Sequence, residues 1–183
     1  MIAFVPLHEG ALEQVLAWRT DPEVTRWMLT DLEADMAAQR RWFAAIRDDE
    51  TQAHWLIRVG GRDVGLAYLA DIDHTARCCS CGFYIGEAAA RRHGGMVLPG
   101  IINHVFAEMG FAKITGQVLG GNENVLKMHQ VLGYRSVGIR QGHVTKGGRA
   151  HDLHLFEMSR EEWQQRAALF RPYRIPVLDG SES

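Results

Sequence analysis

The residues best equipped for chemistry lie together at Arg91-Arg92-His93-Gly94-Gly95-Met96. They stand between a strand-like run, Cys79-Ser80-Cys81-Gly82-Phe83-Tyr84-Ile85-Gly86, and a helix-like run over 97–109 with apolar Val97, Ile101, Ile102, Val105, Phe106 and Met109. Glycines at a strand-to-helix turn let free backbone N–H groups approach a ligand closely, and the helix N-terminus behind them adds partial positive charge. Together these suit a phosphate or pyrophosphate. The pattern points to a phosphorylated cofactor, and so to an enzyme.

Other candidate chemistry is thinner. Three cysteines, Cys78, Cys79 and Cys81, form a Cys-Cys-x-Cys cluster without the second pair that a zinc site wants. Strand alternation puts Cys79 and Cys81 on one face and Cys78 on the other, as buried small residues. The nine histidines show no His-x-x-x-His or His-Glu-x-x-His pattern, and His151-Asp152-x-His154 reads as a strand with polar residues. No metal is expected.

The elements that must position the glycine turn can be read from periodicity. At 183 residues, 46% apolar and 23% charged, the chain has the make-up of one globular domain, expected over 1–170, with a tail over 171–183 that is extended and then frayed. A formal charge of −2 carries no nucleic-acid or anionic-membrane signature. No run approaches the ~18 apolar residues of a membrane span, and the N-terminus lacks the flank of a signal peptide. An odd number of clustered cysteines is not a disulfide framework, which leaves the cytoplasm as the default.

Residues 2–7 read as a strand, 9–19 as a helix, and Asp21-Pro22 restarts a helix with Asp21 as its cap. A third helix is expected over 31–47, with Ala34, Ala38, Trp42 and Ile46 in a stripe that places Trp42 in the core. Strands 53–59 and 63–71 flank a Gly60-Gly61 hairpin, and 75–85 is a further strand. After the glycine turn and its helix come a strand over 112–119, a helix over 122–132 ended by Gly133, two strands over 134–143 and 149–158, and a helix capped by Ser159. Pro99 is tolerable only in a first helical turn, so the helix after the glycines should start late. The order β-α-α-α-β-β-β-α-β-α-β-β-α describes a mixed α/β sheet with helices on its faces, with a right-handed parallel crossover over 76–119.

This order, with a glycine turn after the fourth strand, resembles the GNAT superfamily of acyl-CoA-dependent N-acyltransferases. Arg91, Gly94 and Met96 fill the slots of its Gln/Arg-x-x-Gly-x-Gly/Ala motif, Met96 as a departure from the usual small residue. A second segment, running from Asn122 to Gly133-Tyr134, is similar to the superfamily's Asn-x-x-Ala-x-x-x-Tyr-x-x-x-Gly-Phe helix, with His129 in the tyrosine slot. Trp18-Arg19-x-Asp21-Pro22-x-Val24, Gln39-x-x-Trp42-Phe43 and Arg160-x-x-Trp163 resemble the ribosomal-protein-acetyltransferase-like branch. Within it, Gly82-Phe83-Tyr84-Ile85 resembles the sugar-nucleotide N-acetyltransferases of pseudaminic acid biosynthesis. The resemblance covers about residues 1–165 and implies a mostly antiparallel twisted sheet of about seven strands flanked by helices on both faces.

It also implies acetyl-CoA as co-substrate, pantetheine against the backbone near Phe83 and Ile85, and pyrophosphate on the amides from Arg92 through Gly94, Gly95 and Met96 to Val97, with Arg91 beside them. Asn122 would bond the cofactor or the loop, or cap its helix. Amine attack on a thioester needs a neutral amine, an oxyanion donor and a proton for the thiolate. His129 is either the general acid for that proton or a helix histidine without a role. Glu87, Asp71 and Asp73 are candidate bases, each otherwise a solvated loop carboxylate. Arg26, Trp27, His54, Trp55 and Tyr84 are candidates to line an acceptor pocket, each otherwise core or surface. The expected acceptor is the primary amine of a nucleotide-linked amino sugar. The alternatives are a protein N-terminus, an antibiotic or polyamine amine, or a regulatory module that binds acyl-CoA without turnover. The family also implies a homodimer, through the tail or an edge strand.

Overall fold

One strand pair fails to stay together, and the site is built around that failure. The computed structural model describes residues 1–179. Its seven strands are β1 (Ile2–Pro6), β2 (Ala53–Val59), β3 (Arg62–Asp73), β4 (Cys78–Ile85), β5 (Lys113–Leu119), β6 (Arg135–Lys146) and β7 (Arg149–Ser159), in the sheet order β1-β2-β3-β4-β5-β7-β6. All neighbours are antiparallel except β4 and β5. That parallel pair is in register only at Cys78, Cys79 and Ser80 against Lys113, Ile114 and Thr115. Beyond Ser80, β4 stays with β3 and β5 stays with β7, so the two strands diverge. The buried Tyr134 ring sits in the fork, its hydroxyl 3.8 Å from Cys81 Sγ on one strand and its edge against Gly116 on the other.

The helices are α1 (Leu12–Thr20), α2 (Pro22–Thr25), α3 (Met36–Arg47), α4 (Gly94–Asn103), α5 (Glu123–Leu132), α6 (Arg160–Gln165) and α7 (Ala167–Phe170). Alternation divides the core. Phe4, Ile57, Ala67 and Ile85 face α4 through Val97, Ile101 and Ile102, with Phe170 beside them. Val5, Leu56, Leu66 and Tyr84 face Val15 and Trp18 of α1, with Trp42 of α3 packed against them. Fully buried side chains such as Leu56, Ile57 and Ile102 each contribute about 1.5–3 kcal/mol.

Local chemistry sets most boundaries. Gly60 and Gly61 adopt φ of 56° and 82° in the β2–β3 hairpin, a two-residue turn that ordinary side chains resist. Gly133 ends α5 at φ 94°, accepting the left-handed cap. Ser159 and Glu162 form a reciprocal capping box on α6.

Two expectations are corrected. The third helix begins at Met36, not 31, because Asp35 caps it by accepting from Ala37 and Ala38 N–H, while Thr30 and Asp31 are tied into a loop by side chains. The glycine turn is not open: Ala88–His93 is a 3-10 helix, Gly94 N–H donates to Arg91 O, and α4 starts at once. Pro99 therefore lies inside α4, leaving the Gly95 carbonyl without its helical donor. The tail is docked as far as it is described: Phe4 N–H donates to Pro176 O, Leu178 N–H donates to Phe4 O, and Ile175 packs on Gly100. Residues 180–183 of that tail lie outside the described residues. No helix among the described residues is long and apolar enough to cross a membrane.

Candidate active site

Two adjoining cavities occupy the space that this sheet leaves. The first is the cleft between β4 and β5, about 630 Å³. Gly86 N–H donates to Val64 O at 2.8 Å, so by strand alternation the N–H and C=O groups of Cys81, Phe83 and Ile85 point away from β3 and into the cleft. One end is closed by Gly94 and Gly95 at the N-terminus of α4, with the Phe83 ring against Gly94. The other wall carries Gln117, Asn122, Asn124 and His129. Asn122 makes no side-chain cap bond to α5, which leaves its amide to the cleft.

The second cavity, about 470 Å³, lies between the sheet and helices α1 and α3. Its polar groups come from Arg19, Glu33, Asp35, Gln39, Gln52, His54, Tyr68 and Tyr84, and its apolar wall from residues such as Leu16, Met28 and Trp42. Met28, Leu29, Tyr68, Ala70 and Tyr84 line both cavities and mark the junction. Gly82 is required there, because a Cβ at that position would lie 2.3 Å from the Tyr68 hydroxyl.

The candidates sort by this geometry. Phe83, Ile85, Arg91, Gly94, Gly95, Asn122 and His129 come together around the cleft. Arg92 and Met96 are exposed and Val97 is a core residue; none of the three lines either cavity. Arg26 and Trp27 also belong to the cleft rather than to the second cavity, with the Arg26 guanidinium 5.1 Å over the Trp27 ring. The Glu87 carboxylate accepts from Trp18 Nε1 at 2.8 Å and lines neither cavity. Asp73 caps a turn at Ala76 N–H, whereas Asp71 lines the cleft, accepting from Ser80 Oγ. Trp55 faces the opposite side of the sheet, against Phe4 and His104. Trp42, expected in the core, forms part of the second cavity's wall, edge-on to His54 at 5.2 Å.

His129 is buried between Tyr134 and Phe156, 4.7 and 4.9 Å between ring centres. Its Nδ1–H donates to Val125 O at 2.9 Å, so in the neutral ring Nε2 carries the lone pair. Burial holds the imidazole below its ordinary pKa, against the smaller opposing effect of the Val125 bond. In the resting neutral ring Nε2 is therefore an acceptor, and it can donate only after it has taken up a proton.

Sequence reading missed Arg19, Gln39, Tyr68, Gln117 and Asn124 as cavity residues. The signal for Arg19 and Gln39 lay in their helical spacing toward the face shared with Val15, Leu16 and Trp42. The others depend on the divergence of β4 and β5 and on loop 26–35, which no periodicity announces.

A family model described as "Acetyltransferase (GNAT) domain" matches residues 2–135, well over half of the chain. The chain belongs to this family and is an acetyl-CoA-dependent N-acetyltransferase of GNAT type. It is similar to acetyltransferase PseH of Campylobacter jejuni subsp. jejuni serotype O:23/36 (strain 81-176), 21% identical over 127 residues that span 69% of this chain and 78% of the relative. Among solved structures it is similar to spermidine N-acetyltransferase from Vibrio cholerae in complex with CoA and spermine, with a TM-score of 0.83 at 12% identity over 89% of this chain and 98% of that one. A chimera of the Vibrio cholerae SpeG enzyme and hSSAT gives 0.81 at 12% identity over 90% and 99%. At such identities these structures speak for the fold.

Proposed function

We propose that acetyl-CoA lies in the β4–β5 cleft and that its acetyl group passes directly to the primary amine of a nucleotide-linked amino sugar held under α1 and α3. The hydrogen-bonding groups of the second cavity carry this reading. Its one half-buried cation, Arg19, makes no salt bridge among the described residues, and its guanidinium donates instead to Thr25 and Thr30. Two carboxylates share the cavity, Glu33 and Asp35, the second also capping α3 through Oδ1. A polyamine carries several ammonium charges and would meet a cation held in place by Thr25 and Thr30 beside the two carboxylates. A sugar ring presents neutral hydroxyls that match the phenols of Tyr68 and Tyr84 and the amide of Gln39, and Trp42 offers an aromatic wall.

The cleft suits the co-substrate. Outward N–H groups on β4 would pair with pantetheine, and the N-terminus of α4 with Gly94 and Gly95 would meet the pyrophosphate, with Arg91 beside it. The amine lone pair attacks the thioester carbon, and a β4 N–H at Phe83 or Ile85 donates to the oxyanion that forms. Collapse breaks the C–S bond. His129 Nε2, an acceptor open to the cleft, takes the proton lost by nitrogen and returns it to the departing sulfur, so the ring ends neutral.

The experiment is thiol release from acetyl-CoA with UDP-4-amino-4,6-dideoxy sugars, spermidine and a peptide N-terminus. Turnover confined to the sugar nucleotides is expected. Turnover of the peptide or the polyamine instead would keep the reaction and remove this acceptor.

A further inference from the structure

Among the described residues, two buried side-chain atoms have no hydrogen-bond partner, Tyr84 Oη and His54 Nδ1, and both residues line the second cavity. Tyr84 is 7% exposed, on the wall shared by the two cavities where amine and thioester must meet. His54 stands two strands away on the same face: His54 pairs with Tyr68 across β2 and β3, as Leu66 pairs with Tyr84 across β3 and β4. Neither atom is reached by water, and an unpaired buried polar group costs more than deleting it would.

The state of His54 is set by a relay. Gln52 Nε2 donates to Asp49 Oδ2 at 2.8 Å, which turns Gln52 Oε1 toward the imidazole. His54 Nε2–H donates to that oxygen at 3.2 Å, and Nδ1 is left as a bare lone pair. Tyr68 stacks on the ring at 5.8 Å and Trp42 meets it edge-on, fixing its plane. Burial holds the ring neutral, with its pKa lowered to about 4. So the cavity offers one neutral hydroxyl at the reacting end and one neutral acceptor further in.

We propose that Tyr84 and His54 are a two-point docking set for the acceptor: an amine N–H donates to Tyr84 Oη, and a hydroxyl on the same molecule donates to His54 Nδ1. The amine's lone pair then stays free for the thioester. The acceptor group this selects is an uncharged amine on a sugar ring that also carries at least one hydroxyl, not a flexible polycation. This rests on the second cavity being the acceptor site, and the deepest contacts require the ligand to displace the side chains that now shield these two atoms.

The test is Tyr84→Phe and His54→Phe in the full chain, with melting measured without acceptor and kinetics on the fastest amine of the panel above. Tyr84→Phe should keep or raise the melting temperature, leave CoA affinity unchanged and lower kcat/KM for the acceptor about tenfold or more. His54→Phe should raise the acceptor KM with little change in kcat. A lowered melting temperature for Tyr84→Phe would mean that its hydroxyl already has a protein partner and would overturn the inference, with no acceptor needed. Unchanged acceptor kinetics in both variants would also overturn it. If a hydroxyl-free amine proves the substrate, the amino-sugar reading falls, and an unaltered KM for that amine in His54→Phe takes the second docking point with it.

Discussion

Burial decides what the histidines can do. His54, His104 and His129 are all held below their ordinary value, chiefly by desolvation. The unfolded chain therefore binds protons near pH 6.5 that the folded chain refuses, and stability is lost as pH falls from there toward about 4, the His54 value. Melting temperature should drop steadily between pH 7 and pH 5, and His54→Phe should flatten part of that slope; a level wild-type profile would contradict these buried neutral rings. His129 raises a separate expectation. Phenylalanine fits between Tyr134 and Phe156, so His129→Phe should fold, bind CoA as before and lose about tenfold in kcat. An unchanged kcat would remove the imidazole from proton transfer. The sequence placed His129 on its helix correctly but could not assign its proton, because that depends on the Val125 carbonyl one turn back and on the depth of burial.

At the scale of elements, the glycine segment shows how stability and binding are traded. Gly95 sits in the first turn of α4 with nothing within 4 Å of where a Cβ would lie. Gly95→Ala should stabilise the free protein by up to about 1 kcal/mol, since glycine is the poorer helix former, yet weaken CoA binding by standing between the helix N-terminus and its phosphate. Denaturant melts and calorimetric CoA titration on one variant decide this; unaltered CoA affinity would displace the phosphate from this turn. The same segment marks the limit of sequence reading. Strand, turn and helix were legible from glycine placement and the apolar stripe. The continuous 3-10-to-α path was not, because Pro99 argued for a late start and the packing of Val97 and Leu98 prevails over it. Likewise Asp21, Ser159 and Gly133 were readable as caps from local chemistry. The start of α3 was misplaced because the bonds of Thr30 and Asp31 to Arg19, Thr25 and Lys146 join residues distant in sequence.

Across the whole molecule, the two sheet edges differ. β6 is one edge, with Val137 and Ile139 exposed. β1 is the other, partly covered by the chain after α7 through Phe4, with Asn103 Nδ2 donating to Phe170 O and Tyr173 O to hold the approach. Deleting 171–183 should lower the melting temperature by several degrees and open β1 to association, while CoA affinity at low temperature is kept, since none of the described residues 171–179 lines the cleft. An unaltered melt would mean that the docked tail adds nothing to the fold. The antiparallel hairpin pairs were legible from turn signals and the parallel crossover from its helix. The divergence of β4 and β5 was not, because it arises where Tyr134, from the junction of α5 and β6, enters the fork.

The most direct measurement is a competition. Equal concentrations of a UDP-4-amino-4,6-dideoxy sugar and spermidine are incubated with the protein and limiting acetyl-CoA, and the acetylated products are separated by mass spectrometry. Acetyl should appear on the sugar amine with little on spermidine, because the phenols of Tyr68 and Tyr84, the Gln39 amide and the neutral His54 ring match sugar hydroxyls. Acetyl found chiefly on spermidine would contradict the account at its centre.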